Sequence, residues 1–360
     1  MNKSIQPLLS KLIRFQSDKD HPHEIQRCFE FLKNYLKKNG LRFKTCFSNN
    51  KISLIVARKL KKHYRYILNG HLDVVPADYP NAFRPIIKEN RLYGRGAADM
   101  KGTVSVMIQL AQDMQLKDID FALMLTSDEE VGGFDGVNYL LNKENFTCDC
   151  AIIPDGGENF RLVLKEKGII HIKITARGKS AHASRPWTGV NAIEKLLEIS
   201  QAIRKRIPET SKFDRWQPTV NLGKISGGSA TNVVPAQAEM YLDFRYPETE
   251  MREKIIKIVS NSVEKQKKSG FQILIEGDPM DISPDNEYIK KILKLAKQKN
   301  IPLRIIKDYP ASDGRFFSAK GIPVIMFAPV QSKGHINNEW VNIKSLETYY
   351  RILKKFIISS

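Results

Sequence analysis

A strand–helix rhythm that breaks once and then resumes is what most constrains this chain. Helix-period segments open it, at about Ile5 to Phe15 and Glu24 to Lys38, with Gly40 placed to stop the second. β-rich runs follow at Arg42 to Phe47, Ile52 to Ala57 and Tyr64 to Leu68, the last leading into Asn69-Gly70-His71-Leu72-Asp73. A helix over Thr103 to Met114, a strand over Phe121 to Thr126, a helix near Gly136 to Asn142 and a strand over Cys150 to Ile153 continue the alternation. Such alternation predicts an α/β sheet with helices on both faces. After Glu166 the order changes. Strands over Gly168 to Ala176, Thr219 to Ile225, Ala236 to Tyr246 and Phe271 to Glu276 are joined by helices over Val190 to Arg206 and Thr249 to Lys268. That block suits an antiparallel sheet carrying its helices on one face. From Asp285 the first rhythm returns: helix to Lys299, strand Leu303 to Ile306, helix after Asp313, strand Pro323 to Phe327, and a final helix from Lys344. The reading is an α/β domain with a mixed sheet, in two pieces over residues 1–167 and 282–360, and an inserted α+β domain over residues 168–281.

Composition narrows the function. Hydrophobic residues make up 42% of the 360, enough for a core, and charged residues 27%. No stretch approaches the ~20 apolar residues of a membrane span. Met1 to Phe15 carries Lys3, Lys11 and Arg14 and has no unbroken apolar run of the signal-peptide kind, so a cytoplasmic location is expected. Four cysteines are too few for a disulfide framework. Cys148-Asp149-Cys150 could hold a metal, but it runs into the strand-like Ala151-Ile152-Ile153, which favours buried, reduced thiols. The 58 basic against 39 acidic residues leave a net charge of +19. Lys59-Leu60-Lys61-Lys62 and Lys265-Gln266-Lys267-Lys268 are short and lack interleaved aromatics, so neither nucleic acid nor membrane is an expected partner. A solvated lysine surface accounts for them, with steering of a small anionic substrate as the alternative.

Chemistry concentrates in short polar segments at strand ends. His71 and Asp73 are two residues apart at the end of a strand, so the Asp73 carboxylate can back the imidazole and orient it as a metal ligand; a merely hydrogen-bonded histidine is the alternative. Asp99, in Gly94-Arg95-Gly96-Ala97-Ala98-Asp99-Met100-Lys101-Gly102, is either a helix N-cap or a carboxylate shared by two cations. Ser127-Asp128-Glu129-Glu130 is a solvated acidic loop unless cations neutralise it. Asp155, before Gly156-Gly157, fits a plain turn as well as a ligand. His335 lies in Gly334-His335-Ile336-Asn337, beyond the last apolar strand. Taken singly these are ordinary. Their common position, at or near the strand ends of one α/β domain where open sheets bind ligands, favours a two-cation site of zinc type, with cobalt or manganese as substitutes.

In this order, and on a chain of this length, the segments resemble the di-zinc amidohydrolases and exopeptidases: succinyl-diaminopimelate desuccinylase, acetylornithine deacetylase, aminoacylase and the glutamate-releasing carboxypeptidases. The resemblance covers nearly the whole chain. It implies that His71, Asp99 and Asp155 bind one zinc, and Asp99, Glu130 and His335 the other. Asp73 would orient His71, Glu129 would be the general base, and the Asp99–Met100 peptide would be cis. In the inserted domain Gly178-Lys179-Ser180-Ala181-His182 resembles the segment whose histidine serves the partner subunit's oxyanion, which implies a homodimer through that domain. Gly227 to Asn232 and Asp243-Phe244-Arg245 resemble the substrate-carboxylate contacts, with Asn232 and Arg245 as the binding residues; an exposed pair of Arg245 with Glu239 or Asp243 is the alternative. Ser312-Asp313-Gly314-Arg315-Phe316 resembles the substrate loop of the desuccinylases, giving Ser312, Gly314 and Arg315 as contacts. Asp155 stands where that branch usually has Glu, and Asp155-Gly156-Gly157 with Glu130-Val131-Gly132-Gly133 look more like the other deacylases and carboxypeptidases. The expected substrate is a small anionic N-acyl amino acid, first N-succinyl-diaminopimelate. Acetylornithine-type or general deacylase and dipeptidase or carboxypeptidase activities are the alternatives. A metal-free binding protein is the competing class, against which the retained Glu129 argues.

Overall fold

The computed structural model describes residues 5–114, 117, 119–207, 214–301 and 303–359. Met1 to Ser4, part of the segment read above for a leader, lie outside it. Contacts divide the chain into two compact units. The first comprises Met1–Lys165, Asp281–Asp308 and Ser312–Ser360, and the second Glu166–Met280 with Tyr309–Ala311.

The first unit is built on a six-stranded mixed sheet in the spatial order Phe43–Ser48, Lys51–Val56, Phe121–Thr126, His63–His71, Thr147–Ile152 and Val324–Ile325. The four strands from Phe121–Thr126 to Val324–Ile325 run parallel, and Lys51–Val56 is antiparallel to both of its neighbours. From Tyr66 to His71 every residue is buried, which requires cover on both faces of the sheet. The helix Lys101–Met114 is buried almost all round and contacts the strand His63–His71. Gly70 permits that approach: a Cβ there would lie 2.7 Å from Val104 Cγ2. Register places His71 beside Thr126, and Leu68 beside Ile152. The carboxyl ends of three parallel strands therefore deliver His71, the Ser127–Glu130 turn and Asp155 to one edge.

In the second unit Thr219–Gly227, Gln237–Tyr246, Gly168–Arg177 and Ser269–Gly277 form an antiparallel sheet in that order. Ile170, Ile172 and Ile174 alternate onto one face with Met240, Leu242 and Phe244. There they pack with Leu196, Ile199 and Ile203 of the helix Ala192–Arg204 and with Ile255, Val259 and Val263 of Met251–Glu264. The intervening residues, His171, Lys173, Glu239, Tyr241, Asp243 and Arg245, take the opposite, polar face.

Some boundaries differ from the sequence reading for local reasons. The helix expected from Val190 begins at Ala192, because the Asn191 side chain accepts from the Ile193 and Glu194 N–H groups and caps it. The strand expected from Cys150 begins at Thr147, so Cys148 and Cys150 are buried while Asp149 between them is exposed. All four cysteines are free and buried. Two pairings were not expected: Arg161–Glu166 beside Arg304–Asp308, the strand expected at Leu303 to Ile306, and a small sheet of Ile86–Lys88, Arg91–Tyr93 and Trp340–Asn342.

Candidate metal centre

His71 closes its strand at 1% exposure. Its Nε2 lies 3.0 Å from Asp99 Oδ1 and 4.0 Å from Asp155 Oδ1. On the other side Nδ1 is 3.0 Å from the Asp73 carbonyl oxygen and 3.6 Å from Asp73 Oδ1. A carbonyl only accepts, so Nδ1 carries a proton, and Nε2 is the nitrogen turned toward the carboxylates. The carbonyl of Asp73, not its carboxylate, is the nearer backing group, because the strand ends at His71 and its two-residue alternation stops there. The Asp73 carboxylate instead accepts from the Glu130 N–H at 3.0 Å, tying His71 to the acidic turn.

Both oxygens of Asp99 face imidazoles: Oδ1 faces His71, and Oδ2 is 3.2 Å from His335 Nε2. The Asp99–Met100 peptide is cis. Glu130 Oε1 and Oε2 are 3.2 and 3.1 Å from His335 Nε2. Ligand atoms of His71, Asp99 and Glu130 lie within 4.8 Å of one another, as do those of His71, Glu129 and Asp155. The site thus gathers His71, Asp99, Glu129, Glu130, Asp155 and His335.

Electrostatics fit this crowding. Burial, then the neighbouring carboxylates Asp313, Glu130 and Asp99, raise the Glu129 pKa well above its ordinary value, although His71 opposes them. Burial also raises Glu130. Asp99 shifts the other way: burial opposes its charge, but hydrogen bonds from His335 and His71 hold it far below the carboxylate range. Acids this close repel unless cations lie among them. The mixed His/carboxylate donor set, with Nε2 of both histidines turned inward, is one that divalent zinc-type cations accept.

Glu339 was not singled out in the sequence. It is fully buried, accepts from the Ala98 and Asp99 N–H groups at 2.7 and 2.9 Å through Oε1, and from Arg95 Nη1 at 2.7 Å through Oε2. It therefore fixes the turn that carries Asp99. An acid four residues beyond His335 and an arginine in the Gly94–Gly102 turn were the available signals, and neither indicates the other. Asp313 was also passed over except as part of a motif. It is 2% exposed, and neither of its carboxyl oxygens has a hydrogen-bond partner among the described residues.

Ser312, Gly314 and Arg315 are buried. Ser312 Oγ accepts from the Gly314 N–H at 3.1 Å, and Arg315 donates to the carbonyls of Ser312 and Gly132 at 2.9 and 2.7 Å. This loop is braced inward against the turn after Glu130 and does not present the guanidinium outward. In the second unit, His182 and Asn232 are exposed on one ribbon, where the Ala183 N–H donates to the Asn232 carbonyl at 2.9 Å. Arg245 pairs in a fork with Asp243, Nε to Oδ1 at 2.8 Å and Nη2 to Oδ2 at 3.1 Å, and Oδ2 also meets His171 Nε2 at 3.0 Å.

The sequence pattern of peptidase family M20/M25/M40 matches residues 67–359. The chain belongs to this family. It is a metal-dependent hydrolase, and its cluster of acidic and histidine side chains is able to bind metal. Among curated relatives, a succinyl-diaminopimelate desuccinylase of Nitrosococcus oceani is 26% identical over 319 residues, covering 83% of this chain and 85% of that protein. One of Sulfurovum sp. is 26% identical over 372 residues, covering 97% of each. The fold is shared with an M20 family metallo-carboxypeptidase from Sulfolobus solfataricus (TM-score 0.81, 18% identity, 98% of each chain). It is shared also with a tripeptidase from Staphylococcus aureus (TM-score 0.79, 23% identity, 99% and 98%). No helix among the described residues is long and apolar enough to cross a membrane.

Proposed function

We propose that this M20 hydrolase cleaves the amide bond of a small anionic N-acyl amino acid, with N-succinyl-diaminopimelate, split into succinate and diaminopimelate, as the leading substrate. The desuccinylase relatives support that choice. So does the net charge of +19, which favours encounter with an anion. The observation that carries the chemistry is Glu129, set among His71, Asp99, Glu130, Asp155 and His335 at the strand ends. His71, Asp99 and Asp155 would hold one cation, and Asp99, Glu130 and His335 a second. Zinc is the natural occupant of such donors, with cobalt or manganese able to replace it. Bound there, the cations supply Lewis acidity and lower the pKa of water toward ~7.

Glu129 takes a proton from the attacking water as the new C–O bond forms at the amide carbon. It returns that proton to the leaving nitrogen as the C–N bond breaks, releasing a carboxylate and a free amine. Asp73 keeps the His71 Nε2 lone pair aimed inward. In this reading residues 168–281 form a lid and dimerisation domain. From a second copy of the chain, His182 donates a hydrogen bond to the developing oxyanion. Asn232 and Arg245 receive the substrate carboxylate, the guanidinium held in orientation by Asp243. Ser312, Gly314 and Arg315 brace the wall behind the acidic turn.

A release assay tests the proposal: N-succinyl-diaminopimelate beside N-acetylornithine, a panel of N-acyl amino acids and dipeptides, with a chelated control. A chelator-sensitive kcat/KM of about 10⁴ M⁻¹s⁻¹ or above on the succinyl substrate is the expected result. Absence of succinyl turnover with activity elsewhere in the panel would favour the second reading, a general deacylase or a dipeptidase or carboxypeptidase. Asp155, where the desuccinylase branch usually has Glu, favours that second reading.

A further inference from the structure

His71 and His182 have opposite main-chain partners at Nδ1, a carbonyl at one and an N–H at the other. At His71 that nitrogen faces a carbonyl and must hold a proton. At His182 it lies 3.2 Å from the Ser184 main-chain nitrogen and 2.8 Å from Ser184 Oγ. A main-chain N–H can only donate. His182 Nδ1 is therefore an acceptor, and the neutral ring carries its proton on Nε2. The surrounding backbone fixes this loop. His182 bridges Val233, the Val234 N–H donates to the Ala181 carbonyl at 2.8 Å, and the Arg185 N–H donates to the His182 carbonyl at 2.8 Å.

We infer that Ser184 is a positioning residue that locks His182 in the Nε2–H tautomer and so presents a neutral N–H donor outward. The inference rests on the reading of His182 as oxyanion donor and deepens it. In the other tautomer Nε2 would turn a lone pair toward the developing negative charge and repel it. The hydroxyl of Ser184 adds a second donor to the one its backbone supplies, so Ser184→Ala removes one part of the lock and proline removes both.

The test is the ¹⁵N spectrum of the imidazoles in zinc-loaded, labelled protein at about pH 8.5, well above the ordinary imidazole range of ~6.5. His182→Gln assigns the signal. An unprotonated, pyridine-like Nδ1 and a protonated, pyrrole-like Nε2 are expected in the wild type. Ser184→Ala should move His182 toward a mixture of tautomers and lower kcat about three- to tenfold with KM nearly unchanged, the loss expected for one neutral hydrogen bond. Ser184→Thr should restore both spectrum and rate. Ser184→Pro, which lacks both donors, should shift the tautomer furthest; if it does not fold, the wild-type and Ser184→Ala spectra decide alone. A protonated Nδ1 in the wild type, or a Ser184→Ala spectrum identical to it, would overturn the lock. Full turnover by His182→Gln is a different failure: it would remove the oxyanion reading and leave the tautomer standing.

Discussion

Glu339 decides where Asp99 stands, although it faces neither imidazole. Its two oxygens collect the Ala98 and Asp99 N–H groups and the Arg95 guanidinium in a fully buried place. Glu339→Ala would leave Arg95 buried without its carboxylate, which costs about 3–5 kcal/mol. It should also weaken metal binding about 10–100-fold, the usual effect of losing a group that supports a ligand. Urea unfolding and a metal titration check the two effects separately. Glu129→Gln should behave oppositely: metal content and stability near wild type, and kcat lower by about 10²–10⁴-fold. Full turnover by that variant would remove Glu129 from the mechanism. At the cysteines, burial pushes Cys28 up to about 11 and Cys148 to about 12, and raises Cys46 and Cys150 as well. Thiolate, the reactive form, is scarce under these conditions. Mass analysis after treatment with a thiol reagent at pH 8 should find all four unmodified until denaturant is added.

At the scale of elements, close packing explains which segments tolerate change. The strand His63–His71 and the helix Lys101–Met114 meet at Gly70, where an added Cβ would lie 2.7 Å from Val104 and 3.1 Å from Met100. Gly70→Ala should cost about 1–3 kcal/mol by overpacking and shift the chain just before His71. Denaturant midpoints measure the cost, and combining the change with Val104→Ala should recover part of it. The helix Lys101–Met114 shows why periodicity gives little about orientation here: buried almost all round, it has no single apolar stripe to read. The second unit is the reverse case. Its strands alternate cleanly because one face packs on two helices and the other is polar.

For the whole molecule, the metal site and the Asp243 ion pair belong to different units and give separate tests. A bound cation stabilises the state that binds it by RT ln(1 + [L]/Kd), about 2.7 kcal/mol at a hundredfold excess over Kd. Calorimetry should show chelation lowering the transition of the first unit and zinc restoring it. In the second unit, burial opposes the Asp243 charge, but hydrogen bonds from His171 and Arg245 hold its pKa at about 2. A carboxyl depressed in the folded state stabilises above its unfolded value of ~3.9, and that contribution is lost as pH falls toward 2. Asp243→Asn should therefore flatten the acid limb of the second unit's stability between about pH 4 and 2. An unchanged limb would mean that the Arg245 fork does not persist in solution.

The strand–helix order, the change of rhythm after Glu166, and the placing of His71, Asp99, Glu129, Glu130, Asp155 and His335 in polar segments at or near strand ends were legible in the sequence. Each is encoded locally, by hydrophobic period and by turn residues. Which polar atoms meet was decided by the tertiary structure. Examples are the two histidines on Asp99, the Asp73 carbonyl behind His71, Glu339 under the Asp99 turn, the inward Arg315 and the Asp243–Arg245 fork. These partners are drawn from segments up to a few hundred residues apart, or depend on where a strand stops. A buried polar group takes whichever complementary atom packing brings within hydrogen-bond reach, and spacing along the chain does not record that choice.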